Sequence, residues 1–254
     1  MKREKSFRVF AVYAILIQFM LILSIHSNMK NNVQTTIQNY NPRNSVVQVL
    51  IAYESIDGNE TAGLAYTGTG TAIAIENNTV YVITARHVCK PIPDMVAAGM
   101  GIRQVTEIQN STGEYFSGDV RLISMTDDLC VISYETPDAT ALAIANIAPN
   151  AAFLDEKVSM YAAPAGFYVP SAITQFFGIH AGNIMMEGGV SSVYTIPASG
   201  GSSGALLLNS KGEGVGILHS TLSEFHHVSL ASTHQAMIGF IEELEATEGI
   251  IILD

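Results

Sequence analysis

From Ser45 onward, apolar residues come in short runs separated by turn residues, and helical periodicity is absent until the end of the chain. Ser45–Tyr53, Thr69–Glu76, Thr79–Thr84, Gly101–Ile108, Tyr115–Met125 and Leu129–Tyr134 read as strands in the first half. Lys157–Ala162, Ile173–His180, Val190–Ile196, Gly204–Leu208, Val215–His219 and His227–Ser232 continue the pattern. Pro137, Pro149-Asn150, Pro164-Ala165-Gly166, Gly188-Gly189 and Asn209–Gly212 punctuate them. Strands at this spacing, without alternating long helices, predict an all-β barrel or sandwich and not a parallel α/β sheet. The clearest hairpin is Thr69–Glu76 with Thr79–Thr84, because Asn77-Asn78 between them tolerates the left-handed backbone of a tight turn. Ala139–Asn150, Ala-rich and closed by Pro-Asn, is the expected joint between two halves. In the last part of the chain Met237, Ile238, Ile241 and Leu244 recur at helical spacing behind Thr233, a good N-cap, which predicts a helix over 233–245.

The amino terminus is of another kind. Lys2, Arg3, Lys5 and Arg8 precede an apolar run, Val9–Ile25, interrupted only by Gln18 and Ser24. A basic start before an apolar run has the form of an export signal. The run also reaches the lower edge of the roughly 17–25 residues that a membrane helix needs. Its best small-x-small cleavage pattern, Ile25-His26-Ser27, is poor, so residues 1–27 are expected to be either a signal peptide or a retained signal anchor, with a membrane tether through 9–25. Residues 28–44 are Asn/Gln-rich, contain Pro42 and read as a linker. The rest of the chain is therefore expected to work outside the cytoplasm, secreted, periplasmic or membrane-anchored.

Composition narrows the function classes. Of 254 residues, 48% are apolar and only 14% charged, which excludes a disordered chain. Twelve Lys and Arg against 23 Asp and Glu give a net charge of -11, which argues against nucleic acid as a partner, since binding it needs clustered basic residues. Two cysteines cannot build a disulfide framework or a four-cysteine zinc site. His219, His226, His227 and His234 lack any His-Glu-x-x-His pattern, so no metal is expected. Gly68-Thr69-Gly70 opens a hairpin and not a helix, so no dinucleotide cofactor is expected either.

Three short segments carry candidate chemistry. Thr84-Ala85-Arg86-His87-Val88 places a histidine where a strand ends, held firmly with its ring free to face a cleft and titrating near neutrality. Asp127-Asp128-Leu129-Cys130 sets two acids at the mouth of an apolar strand, where a carboxylate is costly to bury unless a group such as an imidazole N–H pairs with it. Ser199-Gly200-Gly201-Ser202-Ser203-Gly204 flanks a serine with glycines, which permit a tight turn that projects the hydroxyl and converges backbone N–H groups. Each alone is more often structural. In the order His, Asp, Ser, each beside a strand, they mean more together.

These motifs resemble those of the trypsin/chymotrypsin-like serine proteases, in particular the bacterial and phage branch with few disulfides. The likeness extends from about Ser45 to Leu244. Gly68–Ile73 is similar to the family's Gly-x-Gly strand start, 84–88 to its histidine motif, and Asp128–Ile132 to its Asp-Leu-Ala-Val-Leu strand. Gly201–Leu206 is similar to the nucleophile loop, and Val215-Gly216-Ile217 to the strand that walls the specificity pocket. The resemblance implies two packed six-stranded antiparallel β-barrels, about 45–140 and about 150–232, in a protease domain over 45–254 followed by the C-terminal helix. It implies Ser203 as nucleophile, His87 as general base and then acid, and Asp128 as the group that orients His87, with Asp127 as its rival. It implies an oxyanion hole from the N–H groups of Gly201 and Ser203, each donor contributing about 2.7–4 kcal/mol. No cofactor is required, and the partner is a polypeptide substrate.

The chain departs from the family pattern at Ala205-Leu206, where Gly-Pro is usual, and at Ser202, where animal trypsins carry an acid. Activation by a freed amino terminus is therefore not expected. The resemblance lines the primary pocket with Pro197, Ala198 and Ser199 and with Leu218, His219 and Ser220. None is acidic, so Lys or Arg preference is not expected. With a one-residue offset His219 is similar to the pocket histidine of Glu- and Gln-specific relatives; otherwise the pocket takes a small or apolar side chain. Cys89 and Cys130 each lie two residues beyond a triad candidate. If His87 and Asp128 meet, the sulfurs come close and either pair or, as expected here, remain small buried apolar groups. The competing functions are an inactive protease-like binding module and a dedicated viral or phage precursor-processing protease.

Overall fold

The hairpin around Asn77-Asn78 forms as the sequence predicts. Both asparagines are left-handed, with φ of 49° and 71°, and β2 and β3 pair antiparallel across them. The computed structural model describes residues 41–253 apart from 57–60, 93–96, 98, 141, 171, 187 and 223. The expected export or anchor segment 1–27, and the linker up to residue 40, lie outside the described residues. Among those described, no helix is long and apolar enough to cross a membrane.

The first half is built from β1 (Val46–Ser55), β2 (Thr61–Glu76), β3 (Thr79–Thr84), β4 (Ile102–Gln109), β5 (Tyr115–Ser117), β6 (Asp119–Ile123) and β7 (Cys130–Glu135), hydrogen-bonded in the order β5-β4-β1-β2-β3-β7-β6. The expected barrel is present here as a half-barrel sheet, with seven strands in place of six because one expected strand is divided at a single residue. The segment expected as a single strand over 115–125 breaks at Gly118. Its first part pairs with β4 and its second with β7, so the two edges of the sheet are consecutive in the chain. A Cβ on Gly118 would press on Ile132 Cγ2 at 2.9 Å and Thr106 Cγ2 at 3.1 Å, so a side chain there would hold the bend open. Inside the curl, Val49, Ile51, Val80, Val82, Ile108 and Ile132 are fully buried.

The second half is a closed six-stranded barrel, β10-β13-β12-β11-β8-β9, made of β8 (Lys157–Ala162), β9 (Thr174–Met186), β10 (Gly189–Tyr194), β11 (Leu206–Leu208), β12 (Gly214–Leu222) and β13 (Phe225–Ser232). The strap 142–150 ties the two halves: Ala145 N–H donates to Ala72 C=O, and Ala148 N–H to Gly214 C=O, both at 2.9 Å. A one-turn helix α1 (Arg86–Cys89) follows β3, and α2 (His234–Glu248) ends the fold. Thr233 caps α2 as predicted, its hydroxyl accepting from Ala236 N–H, and Gly249 stops it in the left-handed conformation. α2 buries Met237, Phe240, Ile241 and Leu244 in a core shared with Val46, Ile73, Leu206 and Ile217 of the two halves. Each such side chain contributes about 1.5–3 kcal/mol relative to exposure. The helix thus fastens the halves together behind the crevice that holds the candidate site.

Candidate active site

β3 carries the histidine to the edge of the crevice. It ends at Thr84, Ala85 is extended, and α1 begins at Arg86, so His87 emerges in the first turn after a buried strand. The antiparallel register of β3 with β7 pairs Thr84 with Cys130, which sets Asp128 just outside β7 opposite His87. The carboxylate then grips the histidine twice. Oδ1 accepts the His87 backbone N–H at 2.9 Å, and Oδ2 lies 2.7 Å from Nδ1. An ionised carboxylate can only accept, so Nδ1 carries a proton toward Asp128. Burial pushes the Asp128 carboxyl up, but the His87 hydrogen bonds and charge, with a smaller contribution from His219, outweigh it and hold the group below the ordinary carboxylate range.

Asp127 belongs to a different structure. Its N–H donates to Ser124 Oγ at 3.0 Å and its carboxylate accepts from Thr126 Oγ1 at 2.7 Å. Ser124 N–H also bonds Leu129 C=O, closing a tight turn in which Asp127 is engaged while Leu129 and Cys130 enter the core. Of the two candidate acids, Asp128 is the one brought to the imidazole.

Ser203 sits on a loop folded by hydrogen bonds from Ser202 N–H to Ser199 C=O and from Ala205 N–H to Ser202 C=O. Gly201 and Gly204 both have φ of 89°, a region that L side chains avoid. A Cβ on Gly204 would overlap Thr84 Oγ1 and Thr69 C=O, so the loop rests directly on the end of β3, three residues before His87. Among the described residues, neither Gly201 N–H nor Ser203 N–H has a protein acceptor, and these are the two expected oxyanion donors.

Sequence reasoning passed over the group that docks this loop. Thr69 N–H donates to Ser203 C=O at 2.8 Å, its Oγ1 donates to Gly201 C=O at 2.8 Å, and the same oxygen accepts Ala163 N–H at 3.0 Å. Thr84 Oγ1 completes the knot by donating to Thr69 C=O at 2.7 Å. Both threonines are fully buried. The signal was present in Gly68-Thr69-Gly70, a hydroxyl-bearing residue set between two glycines in β2.

The residues expected around the primary pocket separate. Pro197 and Ala198 are half-buried and Ser199 is exposed. Leu218 faces the core of the second barrel, while its backbone receives Gly204 N–H at 2.7 Å and donates to Ala205 C=O at 2.9 Å. His219 and Ser220 line a recess of about 280 Å³ together with Arg86, Asp127 and Asp128. The His219 ring lies 2.9 Å from Ser220 Oγ at Nδ1 and 3.4 Å from Ser191 Oγ at Nε2. Burial is the main cause that pulls its pKa below the ordinary value; Asp128 opposes that shift and His87 adds to it.

Cys89 and Cys130 were expected as separate buried apolar groups, and here they form a disulfide, with Cα atoms 6.5 Å apart. The register of β3 and β7 that joins His87 to Asp128 also brings these sulfurs together. Among the described residues, no three His, Cys, Asp or Glu side chains converge into a metal site.

The profile of one family, described as the trypsin-like peptidase domain, matches residues 68–217, more than half of the chain. None of the curated proteins matches. The matched span opens at the Gly68-Thr69-Gly70 strand and closes in β12, enclosing His87, Asp128 and Ser203, and with the closed barrel, the curled sheet and the crevice between them it shows that the chain belongs to the trypsin-like peptidase family.

Proposed function

We propose that this domain is a serine endopeptidase working through Ser203, His87 and Asp128. The observation that carries the reading is the double grip of Asp128 on His87 at 2.9 and 2.7 Å, beside a Ser203 loop that rests on the same strand end. In the proposed reaction Ser203 Oγ bonds to the substrate carbonyl carbon as its proton passes to His87 Nε2. Asp128 steadies the resulting imidazolium, and the carbonyl oxygen, now negative, accepts from the N–H groups of Gly201 and Ser203. Collapse breaks the C–N bond and His87 returns the proton to the leaving amine. Water then repeats the sequence on the acyl-enzyme and regenerates Ser203.

Pro197, Ala198 and Ser199 are proposed as one wall of the primary pocket. The absence of an acid among them supports a preference for something other than Lys or Arg. The position of His219 beside Asp128 supports an electrostatic role there in preference to contact with the P1 side chain. A domain working outside the cytoplasm is the companion proposal, supported by the basic-then-apolar amino terminus and by a disulfide that an oxidising compartment would maintain. Fractionation of the full chain, followed by amino-terminal sequencing, distinguishes cleavage near residue 27 from retention as an anchor.

The test of the enzymatic reading is labelling by a fluorophosphonate. The expected result is modification of Ser203 in the wild type, lost in Ser203→Ala and strongly slowed in His87→Ala. A folded wild type that takes up no label would overturn the reading and leave a protease-like binding module.

A further inference from the structure

We infer that the Cys89–Cys130 disulfide is a positioning element of the active site, fixing the His87 turn to the Asp128 strand in the native state. The inference rests on the serine endopeptidase reading above. The covalent bond and the His87–Asp128 hydrogen bonds join the same two segments, each offset from the other by two residues. One segment is rigid: Cys130 pairs with Thr84 on one side and Ile123 on the other, inside the curled sheet. The other segment has little strength of its own. α1 is four residues long and has no side-chain cap, and Lys90 at its end leaves the helical conformation. A single turn is below the length at which a helix supports itself.

What holds that turn is tertiary. Val88 wedges onto β2 where Gly68 leaves room, since a Cβ on Gly68 would overlap the valine side chain. Gln104 Nε2 reaches from β4 to Cys89 C=O. Arg86 Nη1 donates to Ser124 C=O at 3.2 Å, and the disulfide, with both cysteines completely buried, adds the one covalent tie among the described residues. His87 itself is 45% exposed on its side chain, so packing around the ring does little to hold it. Its orientation depends on the backbone beneath it, and that backbone is anchored at Cys89.

A crosslink that only stabilised the fold would act by constraining the unfolded chain and would leave the rate of the folded enzyme unchanged. A positioning crosslink lowers the rate when removed, because a misplacement of about 1 Å can cost on the order of 10²-fold. The experiment compares wild type, Cys89→Ala with Cys130→Ala, and Cys89→Ala with Cys130→Val, the second pair retaining more buried volume in the strand. Ile108→Val, on β4 in the same core and outside the two crosslinked segments, controls for general loosening. All are assayed at a temperature where near-ultraviolet circular dichroism shows them folded. Fluorophosphonate labelling rates, kcat and KM on a peptide library, and the downfield proton resonance of His87 Nδ1–H held by a carboxylate are measured.

The expected result is a labelling rate and kcat lowered about 10–100-fold in both cysteine pairs, with KM little changed, the Nδ1–H resonance broadened, and Ile108→Val close to wild type. Cysteine pairs that label as fast as wild type while melting earlier would overturn the inference. So would an equal slowing in Ile108→Val, or failure of both pairs to fold, since the crosslink would then serve the barrel as a whole. If the wild type does not label at Ser203, the endopeptidase reading fails separately, and the resonance still decides whether the disulfide fixes the His87–Asp128 pair.

Discussion

His87 and Asp128 are joined by two hydrogen bonds and, two residues further along each segment, by a disulfide, all within the first half of the fold. Ser203 has no such brace. It sits on a loop held by glycine backbone geometry and by the N–H and buried hydroxyl of Thr69, which reach across from the other half of the molecule and are backed by the Thr84 hydroxyl on Thr69 C=O. In the proposed mechanism the difference follows from what each part would do. A base and its orienting acid would need one fixed alignment, which direct bonds between their own segments supply. A nucleophile loop would also leave N–H groups unpaired to receive an oxyanion, and this loop takes its support from Thr69, itself held by Thr84.

The contrast can be broken most severely on the braced side. Asp128→Asn removes the acceptor-only character that sets the His87 tautomer, and kcat is expected to fall about 10⁴-fold with the fold intact. Steady-state kinetics beside circular dichroism check this. On the unbraced side, Gly204→Ala forces a side chain into a left-handed residue that touches Thr84 and Thr69. Backbone strain alone costs about 1–2 kcal/mol, and the overlap adds to it. Urea unfolding should show the stability loss, and kcat should drop about 10²-fold as the loop lifts from β3.

Thr69→Val is gentler, because shape is kept while Gly201 C=O loses a donor and Ala163 N–H an acceptor. A destabilisation of about 1–3 kcal/mol is expected in urea unfolding. Labelling of Ser203 should slow while the His87 Nδ1–H resonance stays unchanged, which separates the two halves directly.

The smallest effect concerns pH. His219 has its pKa depressed chiefly by burial, in a recess lined also by Arg86, Asp127 and Asp128; Asp128 opposes the shift and the charge of His87 adds to it. The unfolded chain takes up this proton near the ordinary histidine value of about 6.5, and the folded one resists it. The associated stability is thus complete above that value and is lost as pH falls through the depressed one. His219→Gln should flatten the slope of unfolding free energy against pH in that window, measured by urea titration at closely spaced pH.

How much of this could be read along the chain varies from element to element. Strands Thr79–Thr84 and Lys157–Ala162 have the bounds their β-prone runs predict, because local propensity and burial agree there. β2 begins at Thr61, eight residues before its expected start, since its first half is a strand through pairing with β1 and not through its own composition. The one-turn helix at His87 was missed because four residues carry no periodicity. The His and Asp motifs were legible, and the resemblance already favoured Asp128 over its rival Asp127; by residue type alone the two are equal neighbours, and the structure separates them by partner, Asp127 bonding in the Ser124 turn and Asp128 on His87.

Residue types and their order along the chain determined the strand-rich class, the caps of the last helix and the three side chains suited to acyl transfer, because these depend on local propensity and intrinsic acidity. The tertiary structure alone decided that Asp128 grips His87 through two bonds, that the two sulfurs join, that His219 and Asp128 line one recess, and that Thr69 carries the Ser203 loop. Each of these depends on distances between residues far apart in sequence, and strand register, a property of pairs of segments, sets them.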